Sequence, residues 1–126
     1  MGGEDTRVGP RDVIRRTLMS FVFWILLVVS ALLEVGGDAF VRKGLRGSGI
    51  VFLLVGCGML STYGVVVNLV TWDFSKLLGI YVAIFAVVSV LIGRFVFGDN
   101  IPHSTWLGLV LIILGAFVIQ VGDYWK

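Results

Sequence analysis

The stretch from Thr17 to Gly37 reads TLMSFVFWILLVVSALLEVGG. It carries no charge from Thr17 to Leu33, then meets Glu34, and its apolar pattern continues past Asp38 to Val41. A membrane-spanning helix needs about 20 mostly apolar residues, and this block is long enough. A cleaved signal peptide has an apolar segment of only about 7–15 residues that ends at a small-residue site. Here the run is longer and leads into Glu34, so it reads as a retained helix.

Three further blocks follow. Gly49 to Trp72 is uncharged, and Leu77 to Gly93 is uncharged until Arg94, ending near Phe97. Ile101 to Gly122 has His103 as its one titratable residue. Backbone N–H and C=O groups find no partners in lipid, so each block reads as a helix. The composition agrees: 58% of the residues are hydrophobic, against about 45–50% in an average soluble domain, and the mean hydropathy is +1.02. The expected fold is an all-α integral membrane protein with one four-helix transmembrane domain over residues 17–122. Its helices are expected at about 17–41, 49–72, 77–97 and 104–122. A polar, flexible N-terminal tail (residues 1–16), whose end can form a short surface helix, and a short C-terminal tail (residues 123–126) flank it.

The connections are short and rich in turn formers: Arg42 to Gly49, Asp73 to Lys76, and Gly98 to Pro102. Trp72, Trp106, Tyr124 and Trp125 stand at block ends, where an interfacial aromatic belt is expected. With both termini inside, Arg7, Arg11, Arg15, Arg16, Lys76 and Lys126 oppose Arg42, Lys43, Arg46 and Arg94. This small bias is compatible with insertion in both orientations. The formal charge of +2 comes from residues near helix ends, so nucleic acid is not an expected partner. The lone Cys57 forms no internal disulfide, and no metal-ligand cluster or cofactor motif is present. With one histidine and no Ser/His/Asp arrangement, no enzymatic activity is expected.

Glu34 is the most informative residue. It falls near the middle of its block, where a charge costs roughly 2.5–3.5 kcal/mol on insertion scales. A carboxyl group kept there faces a cavity, a proton or a cation, or pairs with a buried donor. Asp38 and Arg42 follow one turn apart on the same face. They read either as part of a polar stripe or as a boundary ion pair whose side chains reach for water. Tyr63, Asn68, Tyr81 and Phe85 place aromatic or polar groups in helices two and three, where rings can box a cation. Gly108 and Gly115, with Leu111 and Ile112 between them, mark one face of helix four on which a second helix can approach closely. Gly56, Cys57, Gly58, Ser61 and Gly64 form a comparable small face on helix two.

Two segments resemble the small multidrug resistance proteins, four-helix members of the drug/metabolite transporter superfamily. Ala31-Leu32-Leu33-Glu34-Val35-Gly36-Gly37 is similar to that family's helix-one segment. Phe97-Gly98-Asp99-Asn100-Ile101, followed by Gly108 and Gly115, is similar to its loop and helix-four glycines. The resemblance implies a bacterial-type inner-membrane antiporter that exports a cationic or amphiphilic molecule as a dimer. Glu34 would be its shared proton and substrate site, and Gly108 and Gly115 its dimer seam. In helix three the family's tryptophan falls on Tyr81 or, in another register, on Phe85. The small residues that follow it there are replaced by Val82, Ile84, Val87 and Val88. Two alternatives stay open: a subunit of a lipid-carrier flippase for undecaprenyl-linked sugars, paired with a small homologue, and a non-transporting accessory subunit of a membrane complex.

Overall fold

The structure is a computed structural model, and it describes residues 8–122 and Trp125. Arg7, Tyr124 and Lys126, which entered the charge and belt arguments, lie outside the described residues. The chain forms α1 (Pro10–Lys43), a turn of π-helix (Gly44–Ser48), α2 (Ile50–Val67), α3 (Phe74–Phe95) and α4 (His103–Gly122). Among the described residues there are four helices long and apolar enough to cross a membrane, so the all-α, four-span architecture expected from the blocks is the one observed.

Helix α1 begins at Pro10, seven residues before the apolar run. Proline suits the first helical position because its φ is preset and its missing N–H would have no partner there anyway. The Gly9 carbonyl accepts the first bonds, from the amides of Asp12 and Val13 (3.0 and 3.2 Å). Residues 10–16, the end of the polar tail, are therefore helical and continuous with the first span. With 34 residues, α1 is about 51 Å long, well beyond the about 30 Å of a hydrocarbon core.

Helix α2 ends at Val67, five residues short of the apolar block. The Leu69 and Val70 amides bond back three residues, to Val66 and Val67 (3.1 and 3.4 Å). The chain then folds inward, burying Val70 to 3% exposure. Trp72 meets Phe23 and Trp24 edge-on (6.1 and 5.6 Å between centroids). Trp72 is thus a packing residue as well as a helix-end aromatic. Helix α3 starts at Phe74, with the Leu77 amide bonded to the Asp73 carbonyl (2.8 Å). After α3, Gly98 takes φ +67°, a left-handed conformation that glycine adopts without strain, and turns the chain toward α4.

Helix α1 is the hub: α2 packs on one side of it and α3 on another, while α4 packs on α3. The α1–α2 crossing is made by glycine. A Cβ on Gly56 would lie 2.7 Å from the Gly37 carbonyl oxygen, and one on Gly37 would lie 3.0 Å from the Gly56 carbonyl oxygen. Seven residues beyond Gly37, a Cβ on Gly44 would lie 2.7 Å from the Leu53 backbone nitrogen. Of the small face expected on α2, Gly56 is used in this contact. Gly58 and Gly64 have open space beside them, and Cys57 is exposed. The core proper joins Leu27 and Ala31 of α1 to Val67, Val70, Leu77, Ile80 and Tyr81.

The Gly37–Gly56 contact predicts an asymmetry between neighbouring glycines. Gly56→Val forces two backbones apart and is expected to destabilise the protein by about 1–3 kcal/mol. Gly58→Ala should stay within about 0.5 kcal/mol of the parent. Unfolding of the purified variants in mixed detergent micelles measures both.

Candidate functional site

The polar residues of α1 follow helical spacing. Ser30, Glu34 and Asp38 recur every four residues and share a face. Ser30 is fully buried, and its hydroxyl donates to the Leu26 carbonyl one turn back (2.7 Å). It went unnoticed in the sequence, although its position one turn before Glu34 on an apolar helix was the available signal. With its hydrogen bond satisfied locally, Ser30 fills space beside the site.

Glu34 is half-buried. The Tyr81 hydroxyl donates to its Oε2 at 2.5 Å, across the α1–α3 interface. Hydrogen bonds to a charged acceptor are short and roughly twice as strong as neutral ones. The Tyr63 hydroxyl of α2 also interacts with the Glu34 carboxylate. Tyr81, only 4% exposed, is itself held by aromatic neighbours. Tyr63 of α2 stacks on it (5.7 Å, 24° between planes), and Phe85, one turn along α3, lies 6.3 Å away. Glu34, Tyr63, Tyr81 and Phe85 therefore come together from three helices. It is Tyr81, and not Phe85, that reaches the carboxylate.

The other candidates lie elsewhere. Asp38 is exposed and makes no ion pair with Arg42 among the described residues. The boundary pair does not form because Arg42 turns to the Phe97 ring, 5.9 Å from its centroid. Asn68 is exposed and donates to the Gly64 carbonyl (2.7 Å), ending α2 and not reaching the cluster. Gly108 and Gly115 face away from α3: a Cβ on either would meet nothing within 4 Å. Leu111 and Ile112 between them are 61% and 39% exposed. Among the described residues no group of three or more His, Cys, Asp or Glu side chains could hold a metal ion.

No family model matches the chain, and no solved structure does. Curated relatives do. A UPF0060 membrane protein of Rippkaea orientalis (strain PCC 8801 / RF-1) is 37% identical over 110 residues, covering 85% of this chain and 94% of the relative. The chain belongs to the UPF0060 membrane protein family. A UPF0060 protein of Frankia casuarinae is 34% identical over 98 residues, covering 76% of this chain and 89% of the relative. Another, from Synechocystis sp. (strain ATCC 27184 / PCC 6803 / Kazusa), is 29% identical over 112 residues, covering 88% and 98%. All three are bacterial membrane proteins.

The Tyr81–Glu34 bond has a measurable energy. In a double-mutant cycle, Tyr81→Phe and Glu34→Ala should show a coupling of about 1.5–3 kcal/mol, the range for hydrogen bonds to charged groups. Additivity within about 0.5 kcal/mol would mean that the two side chains do not interact.

Proposed function

We propose that this UPF0060 protein is a small proton-coupled membrane carrier in which Glu34 binds a proton and a cationic or amphiphilic substrate in turn. The observation that supports this reading most is the carboxylate itself. It is half-buried among apolar helices, engaged on one oxygen by Tyr81, and bordered by the faces of Tyr63, Tyr81 and Phe85. Intramembrane carboxylates mark ion and substrate paths, and aromatic faces attract cations by about 0.5–2 kcal/mol. The combination suits a cation that displaces a proton. No bond of the substrate needs to be made or broken, so the protein acts as a carrier and not as an enzyme. The resemblance of residues 31–37, of residues 97–101 and of Gly108 and Gly115 to the small multidrug resistance proteins points the same way.

Four helices are a thin wall for a solute path, and the proposed working unit is a homodimer. Its seam would be the outer face of α4, where Gly108 and Gly115 allow a partner helix to approach closely and Leu111 and Ile112 supply contact area. This arrangement would place two Glu34 carboxylates between two protomers.

Two outcomes test the proposal. Adding a cationic amphiphile such as tetraphenylphosphonium to lightly buffered protein in detergent should release protons from the parent and none from Glu34→Gln. Equal release from the variant would remove Glu34 from the coupling step. Gly115→Leu should convert the dimer to monomer by mass photometry while leaving unfolding within about 0.5 kcal/mol of the parent. An intact dimer would exclude α4 as the seam.

A further inference from the structure

A recess lies at the opposite end of α1 from its N-terminal extension. It is a cleft of about 590 Å³ between the end of α1 and the α3–α4 connection. Phe40, Val96 and Phe97 give it an apolar wall, and Arg42, Lys43, Arg46 and Asp99 give it a charged one. The three cations have no ion-pair partner among the described residues. One carboxylate against three cations leaves two positive charges uncompensated at the mouth of a cleft.

Each charged side chain has a cause for its position. Arg42 is laid over the Phe97 ring (5.9 Å), and Lys43 over the Phe52 ring (4.8 Å). Arg46 belongs to the π-turn, and Gly47 follows it with φ +106°, reversing the chain toward α2. The Asp99 amide bonds to the Gly93 carbonyl (2.9 Å), which fixes the far wall. Arg42 and Lys43 complement the negative carbonyl end of α1, as cations at a helix C-terminus do. That explanation does not extend to Arg46, which lies past the helix and still lines the cleft.

We infer that this cleft binds a phosphate monoester group, with Arg42, Lys43 and Arg46 as its ligands and Phe40 and Phe97 against the apolar part of the molecule that carries it. A phosphate monoester has a charge of about −1.5 to −2 at neutral pH, matching the uncompensated charge of the cleft. Guanidinium groups bind phosphate oxygens in pairs, with geometry that lysine lacks. The group can be the headgroup of a lipid or a free phosphate ester. The apolar wall and the position at the end of a spanning helix are what a headgroup requires. This site is separate from Glu34 and does not depend on the carrier reading.

The test uses the full chain in phosphatidylcholine nanodiscs containing a minor share of phosphatidic acid, a monoester, or of phosphatidylglycerol, a diester. Native mass spectrometry counts the retained lipid. The parent should retain phosphatidic acid about tenfold better than phosphatidylglycerol, and Arg46→Gln should lose that preference, as expected for one charged hydrogen-bond donor. Arg46 is on an exposed turn, where the change leaves the helices intact. Arg16→Gln, at the other end of α1, should retain phosphatidic acid like the parent. Release of the lipid by millimolar inorganic phosphate would identify a site for free phosphate groups, and retention against it a headgroup site. Equal retention of the two lipids, no effect of Arg46→Gln, or equal loss in Arg16→Gln would each overturn the assignment.

Discussion

The contact between Gly37 and Gly56 governs the arrangement of this small bundle. In water, helices associate to hide apolar surface; in lipid that drive is absent, and close packing has to replace it. Here two backbones meet with no side chain between them. The approach of α2 to α1 sets where every other residue of α2 can reach. Tyr63 lies two turns further along α2, and from there it stacks on Tyr81 of α3. Tyr81 in turn reaches back to Glu34, one turn from Gly37 on α1. The site is therefore closed by a loop of contacts through three helices, and it begins at a place where nothing larger than hydrogen fits.

The polar cluster obeys the economy of an apolar medium. Ser30 satisfies itself on its own helix, and Asn68 does the same at the end of α2. Of these three, it is Glu34 that takes its partner from another helix. A carboxylate that could have been satisfied locally would need no neighbour; one held across an interface reports on whether that interface is closed. This difference separates Glu34 from Ser30 and Asn68 more sharply than its charge does.

The fold was largely legible in the residues, because uncharged runs of spanning length leave little choice in lipid. Helix ends were less so. Gly9-Pro10 looked like part of a flexible tail, yet proline at a first helical position is also a start signal, and only the following polar turn decides between them. The stretch from Asn68 to Trp72 is as apolar as the helix before it, and the burial of Val70 and the packing of Trp72 on Phe23 and Trp24 end the helix early. Glu34 stood out by its cost, and Tyr63, Tyr81 and Phe85 by their chemistry. Which of them would touch the carboxylate depends on the rotation of α3 about its axis. A helix that carries apolar residues nearly all round does not announce that rotation. The expected Asp38–Arg42 pair had correct spacing, but spacing ignores what lies across the gap, and the Phe97 ring was the competing partner.

The length of α1 has a mechanical side. The helix is one continuous rod, and its crossing with α2 lies close to Gly37, far from its centre. A tilt of about 5° about that crossing would sweep the Arg11 turn through roughly 3 Å, while Glu34, three residues from the crossing, would move by less than about 0.5 Å. The carboxylate sits at the fulcrum and the basic extension at the end of the long arm. Forces applied to the extension would reach the site strongly multiplied, with little displacement, as torque on the Tyr81 contact.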